Sequence, residues 1–440
     1  MPALQDYFAA GCKPKSSWRI GTEHEKFLFR LSSTAAVDYA EAKGVRDLLQ
    51  VLKIFGWQEE CEEGVVVGLQ RGGARISLEP GGQLELSGRP VANLHETASE
   101  IEQHLDELRE VSRLLDIGFL GIGFHPTAAR SDIPWMPKQR YNLMRSYLPR
   151  HGQHGLDMML RTCTTQVNLD YSDEADMIMK MRVATALQPI ATALFAASPF
   201  ADGKPTGYQS HRMTVWQDTD AARCGHLSFV FDDDFGFDRY IAYALAVPMI
   251  FVRREGRLVD AGEGSFRDFM AGCLPCVPGQ RPTVEDWALH LSTLFPDVRL
   301  KQYLELRGAD CGNVAAICAL PSFWTGLLYD QTALEAAWEI IADWSTEERM
   351  TLHRQVPQYG LRSPFRGEPI QGIAHKAVVL AQQGLRRRAN RLHGGADETR
   401  YLDPLFMITE SGISYADELL GLYEHQWERE IKHIFSACKL

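Results

Sequence analysis

Residues Ile76–Gly88 read ISLEPGGQLELSG, two short alternating runs on either side of a Pro-Gly-Gly turn. Alternation at period two marks a half-buried strand, and the turn folds Ala74–Glu79 back onto Gln83–Ser87. Ile76, Leu78, Leu84 and Leu86 then share one face, and Ser77, Glu79, Gln83 and Glu85 the other. The apolar face packs. The face with two carboxylates needs a cation or water.

Two more segments repeat the pattern. In IGTEHEKFLF (Ile20–Phe29), Glu23 and Glu25 project from one strand face together with Phe27 and Phe29. In VRLKQYLELRG (Val298–Gly308), Glu305 and Arg307 share a face, and Leu304 and Leu306 take the opposite one. Taken singly, each segment is what any half-solvated antiparallel sheet looks like. Together, Glu23, Glu25, Glu79, Glu85 and Glu305 put five acids into strands, where acidic residues are depleted. Converging carboxylates repel unless neutralised. Mg²⁺ is a hard cation that takes oxygen ligands and also bridges nucleotide phosphates, so the pattern predicts a metal–phosphate site.

The remaining chain reads as an opening helix at Leu4–Ala10, a strand at Trp18–Leu31, a helix at Val45–Phe55 and a strand at Val65–Gln70. A long amphipathic helix follows at Leu94–Leu115, then strands at Ile117–Phe124 and Thr164–Tyr171 and a helix at Glu174–Ala197 that contains Pro189. From Val284 onward helical periodicity dominates, broken by one strand at Arg299–Arg307. Antiparallel strands with helices segregated around them predict an α+β fold, and no repeat or linker divides residues 1–440, so a single domain is expected. There is no GxGxxG or Walker-type loop, so nucleotide would have to be held another way.

A formal net charge of −11 over 440 residues argues against a nucleic-acid binder. The one basic run, LRRRANR at Leu385–Arg391, reads as a solvated helix face. Nine cysteines are neither dense nor even in number, which suits reduced thiols. Cys273 and Cys276 in GCLPC match no zinc module with Cys311 and Cys318, and the histidines show no HExxH or triad context. Apolar runs fall short of a membrane span, and the opening residues lack a charged-then-apolar leader. These features set the expectation of a cytoplasmic protein with no membrane partner and no signal or transit peptide.

The strings IGTEHEKF, SLEPGGQLELSGRP, LGIGFHPTA, MPKQRYNLMRSYLP, LDMMLRTCTTQVNLDYSDEADM, LQPIATALFAASPF and YLELRGAD, in this order through nearly the whole chain, resemble the plant-type glutamate–cysteine ligases also found in proteobacteria. That family resembles the glutamine-synthetase-like carboxylate–amine ligases. The resemblance implies an antiparallel sheet bent into a trough lined by carboxylates, with flanking helices and a mostly helical C-terminal part. It also implies ATP and Mg²⁺ as co-substrate and cofactor, and L-glutamate and L-cysteine as substrates joined in the first step of glutathione synthesis. A homodimer is compatible with it, and the likeness to proteobacterial members implies a bacterial source.

Carried residue by residue, the resemblance implies Glu23, Glu25, Glu79, Glu85 and Glu305 as Mg²⁺ ligands, with Gln166 of TTQVNLDY as a metal neighbour. Arg307 would face the transferring phosphoryl group, with Glu25 and Glu305 beside it in the catalytic set. In SHRMTVWQD, Arg212 would clamp the α-carboxylate of glutamate and Trp216 would wall the pocket, with Asn168 and Arg140 as further substrate contacts. Lys138 of MPKQRYNLM and Lys204 of DGKPTG would meet ATP phosphates. Plant members carry a regulatory disulfide; Cys276 sits at one partner's place, but Ala261 in DAGEGSFRDF occupies the other. Two rivals stay open: a related ligase that takes another amine, and a non-catalytic relative that senses nucleotide or metal.

Overall fold

A computed structural model describes residues 2–391 and 395–440. Its opening helices are α1 (Pro2–Ala9) and α2 (Val45–Leu52), and its first strands are β1 (Ile20–Arg30), β2 (Gln58–Glu62), β3 (Val65–Arg71), β4 (Ala74–Leu78) and β5 (Leu84–Ser87). Helix α3 (Leu94–Leu115) leads to β6 (Ile117–Leu120), α4 (Gln139–Tyr147), α5 (Gly155–Arg161), β7 (Thr164–Leu169), α6 (Glu174–Leu194) and α7 (His211–Gln217). Small pairings join β8 (Phe200–Ala201) to β9 (Lys204–Pro205), β10 (Cys224–Gly225) to β13 (Phe295–Pro296), and β11 (Phe251–Arg254) to β12 (Arg257–Asp260). Strands β14 (Val298–Leu300) and β15 (Leu304–Asp310) complete the large sheet.

That sheet runs in the order β14-β15-β7-β1-β5-β4-β3-β2, with β6 pairing the far half of β1, and every neighbouring pair is antiparallel. The central hairpin has the register read from sequence: Ile76 opposite Leu86, Ser77 opposite Glu85, Leu78 opposite Leu84. Its four apolar side chains are buried, each contributing about 1.5–3 kcal/mol of transfer free energy. On β1 the alternate residues His24 and Lys26 turn to that same packed side, where the Lys26 ammonium lies 3.1 Å from His104 of α3. Helix α6 and the helix Val314–Leu328 cover this side beneath β15 and β7. One face of the sheet is therefore committed to packing, and the acids are left on the other.

The structure departs from the sequence reading in four places. The strand expected at Arg299–Arg307 is a hairpin, β14 and β15, turning at Lys301–Tyr303. The strand expected at Ile117–Phe124 ends at Leu120, where Gly121 donates instead to the Cys438 carbonyl of the C-terminal segment. Helix α6 stops at Leu194 with Pro189 inside it. Strand β2, QEECE, is an unexpected edge strand; its charged residues suit an unpaired edge while depressing its strand propensity.

Candidate active site

The acidic face of the sheet lines a cleft of about 430 Å³. Its floor carries Glu23 and Glu25 from β1, Glu79 from the Pro-Gly-Gly turn, Glu85 from β5, Gln166 from β7, and Glu305 and Arg307 from β15. The turn is built to present Glu79: Gly82 adopts φ +83°, and a Cβ on Gly81 would lie 2.4 Å from the Leu160 carbonyl oxygen. Facing the floor are Lys138 and Arg140 at the start of α4, Arg212 and Trp216 on α7, and Phe251, Arg253 and Leu258 from the β11–β12 hairpin. Eight Lys or Arg side chains and six Glu line the cleft, a surplus of cations suited to polyanionic ligands.

The carboxylates differ sharply in surroundings. Glu305 accepts from Arg299, from Lys301 at 3.2 Å and from Arg307 at 3.1 Å. Burial opposes its charge, yet these three cations hold its carboxyl well below the usual range. Glu23 has no such escort. It accepts from Asn168 at 2.7 Å, while burial and the neighbouring Glu305 and Glu85 push its pKa up to about 7. Burial, with Glu79 and Glu85 nearby, raises Glu25 well above its ordinary value, although the Thr164 amide donates to it at 3.0 Å. Glu85 is raised by burial and Glu79, against hydrogen bonds from Ser87 at 2.7 Å and Ser77 at 3.3 Å.

The basic side has donors to spare. Arg212 is 2% exposed and gives one hydrogen bond, from Nη2 to the Arg307 carbonyl at 3.0 Å, leaving Nε and Nη1 without a partner. The Arg140 Nε, Trp216 Nε1 and Asn168 Oδ1 atoms are likewise buried and unpartnered. Such groups are costly unless a ligand satisfies them. Arg307 donates to Gln166 at 2.5 Å, and its guanidinium lies 5.8 Å from the ring centres of both Trp216 and Phe295. Lys138 donates to the Leu78 carbonyl at 2.8 Å, and burial lowers its pKa against the attraction of Glu79.

The glutamate–cysteine ligase family 2 model matches residues 19–437. The chain belongs to that family. It is 51% identical over 433 residues to glutamate–cysteine ligase B, chloroplastic, of Oryza sativa subsp. japonica, covering 98% of this chain and 86% of that one. It is 49% identical over 430 residues to the chloroplastic glutamate–cysteine ligase of Arabidopsis thaliana, covering 98% and 81%. A crystal structure of the glutamate–cysteine ligase of Francisella tularensis in complex with AMP superposes with TM-score 0.58 at 12% identity, covering 96% of this chain and 87% of that one, which shows a shared fold. These relatives overturn the expectation of a bacterial cytoplasmic protein, because the curated glutamate–cysteine ligases at about half identity are chloroplastic plant proteins. Among the described residues, no helix is long and apolar enough to cross a membrane.

The cleft gathers every residue expected of a family site except Lys204 and Asn168. Lys204 is exposed on β9, outside the lining, so the structure does not bring it together with the other expected phosphate contacts. Asn168 reaches the site through its bond to Glu23. Glu305 is the acid most closely held by cations, with Oε2 accepting from Arg299 and Arg307 and Oε1 from Lys301 alone. Among the described residues, no three His, Cys, Asp or Glu side chains converge closely enough to hold one ion. Mg²⁺ commonly takes one or two carboxylates and completes its shell with water and substrate phosphates, which suits carboxylates spread along a trough. Arg299 and Lys301 were missed because a strand reading treats them as filler; the signal was three cations and one acid within VRLKQYLELR, counting Arg307. All nine cysteines are free thiols, and Ala261 is buried.

Proposed function

We propose that this chain uses ATP to join the γ-carboxyl of L-glutamate to the amine of L-cysteine, giving γ-glutamylcysteine, ADP and phosphate, the first step of glutathione synthesis. Membership of the family supports the reaction. The observation that supports the site is the cleft in which the mutually repelling Glu23, Glu25 and Glu85 face the under-bonded Arg212 and the Arg307 guanidinium. Residues 1–440 are read as one catalytic domain, because strands from Ile20 to Asp310 share one sheet and helices from the C-terminal third cover it.

A carboxylate is a poor electrophile, so the γ-carboxylate of glutamate first takes the γ-phosphoryl of ATP, and ADP departs. The cysteine amine then attacks the acyl phosphate carbon, and phosphate leaves as the amide forms. The free Nε and Nη1 of Arg212 suit the glutamate α-carboxylate, with Trp216 as a wall and the unpartnered Asn168 Oδ1 as acceptor for the substrate ammonium. Arg307 is oriented by Glu305 and Gln166 toward the phosphoryl group, where its fixed positive charge counters what builds up in the transition state. Lys138 and Arg140 lie across the cleft for the nucleotide phosphates or a substrate carboxylate. Mg²⁺ held by Glu23, Glu25, Glu79 and Glu85 would neutralise the phosphates and relieve the repulsion that raises these carboxyls.

The test is ADP release by the purified protein with ATP, Mg²⁺ and L-glutamate, with and without L-cysteine, and mass spectrometry of the product. A cysteine-dependent signal yielding γ-glutamylcysteine is expected. ADP release with another amine only would keep the mechanism and overturn the substrate, and ATP binding without turnover for any amine would favour the sensor.

A further inference from the structure

Asp310 ends β15, three residues beyond Arg307 and outside the cleft lining. It is 2% exposed, and its carboxylate accepts three hydrogen bonds: Oδ2 from the Ala197 amide at 2.9 Å and the Ser198 hydroxyl at 2.6 Å, and Oδ1 from the Ser210 hydroxyl at 2.8 Å. Both serines pass the contact on to α7. Ser198 Oγ accepts from the Arg212 amide at 3.1 Å, and Ser210 Oγ accepts from the Met213 amide at 3.3 Å. The first free amides of the helix that carries Arg212 are thus capped by two hydroxyls, and one carboxylate fixes the rotamers of both.

The chain makes room for this arrangement. A Cβ on Gly123 would lie 2.4 Å from the Asp310 carboxyl carbon, and the β15–β7 register shifts between Leu306 and Ala309, just before Asp310. Gly308, inside that irregularity, lies against Gln188 so closely that a Cβ would meet Nε2 at 2.3 Å. The same strand holds the far end of Arg212, whose Nη2 donates to the Arg307 carbonyl. Arg212 is gripped by β15 at both ends, through Asp310 and the serines at its backbone and through Arg307 at its head. Burial works against the Arg212 charge, and Asp310 is the foremost group offsetting it.

We propose that Asp310 is a positioning residue: through Ser198 and Ser210 it sets the angle at which Arg212 enters the cleft, and so governs recognition of the glutamate carboxylate. This rests on the reading of Arg212 given above. Asp310 touches no reacting atom, so its removal should act on one substrate and not on the others.

The experiment compares Asp310→Asn, the Ser198→Ala/Ser210→Ala double variant and the triple combination in the full chain. KM for glutamate, cysteine and ATP and kcat are measured separately, and thermal unfolding checks the fold. KM for glutamate is expected to rise on the order of 10- to 100-fold in Asp310→Asn, with KM for ATP within about twofold of the parent. The serine pair should reproduce most of that rise, and the triple variant should add little, because residues acting through one relay are not additive. If Asp310→Asn does not fold, the single Ser198→Ala and Ser210→Ala variants carry the same glutamate-selective expectation at smaller size. An unchanged glutamate KM, or an equal rise for glutamate and ATP, overturns the positioning role. A parent protein without glutamate-dependent turnover overturns the functional reading instead, so the two failures are distinguishable.

Discussion

The two ends of the acidic cleft are built on opposite principles. At the β15 end, Glu305 is matched by Arg299, Lys301 and Arg307, and its charge is settled by the fold itself. At the β1–β5 end, Glu23, Glu25 and Glu85 face one another and Glu79 with hydroxyl, amide and backbone donors as their direct partners, and burial raises all three carboxyls. Holding uncompensated carboxylates together costs folding free energy, a cost that the cation proposed above would offset. The first end is finished and orients Arg307. On the proposed reading, the second is completed by ligand.

The largest effect expected from disturbing this contrast is on Arg307. Arg307→Ala should lower kcat on the order of 10³-fold while shifting glutamate affinity far less, as for other arginines that stabilise phosphoryl transfer. Steady-state kinetics read both quantities, and near-normal turnover would refute the role.

Neutralising one acid at each end should then move stability in opposite directions. Glu305→Gln leaves the buried Arg299 and the partly buried Lys301 and Arg307 facing a neutral amide and should destabilise the protein by about 3 kcal/mol. Glu85→Gln removes a carboxylate whose folded-state pKa is raised, so at neutral pH, without divalent metal, it should stabilise by about 1 kcal/mol even as ligation is lost. Denaturant melts in EDTA check the pair; equal losses at both ends would erase the distinction.

The smallest effect belongs to a buried charge remote from both ends. Lys180 on α6 lies 3.5 Å above the Trp18 ring, donates to the Asp170 carbonyl and pairs with Asp176, and burial lowers its pKa to about 8. Between pH 8 and its ordinary value of 10.5, the unfolded chain holds this proton and the folded chain does not, so this contribution to stability rises with pH. Relative to Lys180→Met, the parent should gain stability from pH 8 to pH 10; a constant difference would show that Lys180 keeps its proton.

Much of this site was legible because its key hairpin obeys strict alternation around a turn that only glycine satisfies. Ile76, Leu78, Leu84 and Leu86 announced the packed face, and Glu79 and Glu85 the open one. Alternation says which way a side chain points, but not what waits there. Arg299 and Lys301 became Glu305's partners only because Lys301–Tyr303 forms a turn, a feature that VRLKQYLELR conceals because it has neither Gly nor Pro there. Lys204 carried a suggestive loop sequence yet sits on a surface hairpin, since composition does not fix tertiary position. The Asp310–Ser198–Ser210 relay joins segments about a hundred residues apart, and no local pattern announces it.

The most direct test of the account is ATP affinity, measured by calorimetry in excess Mg²⁺ and again in EDTA. If the raised carboxyls await a divalent cation that bridges to phosphate, ATP should bind at least about tenfold more tightly with Mg²⁺, a difference of about 1.4 kcal/mol. That gain should shrink in Glu85→Gln. Equal affinity in both buffers would contradict the claim that this end of the cleft is completed by metal and nucleotide together.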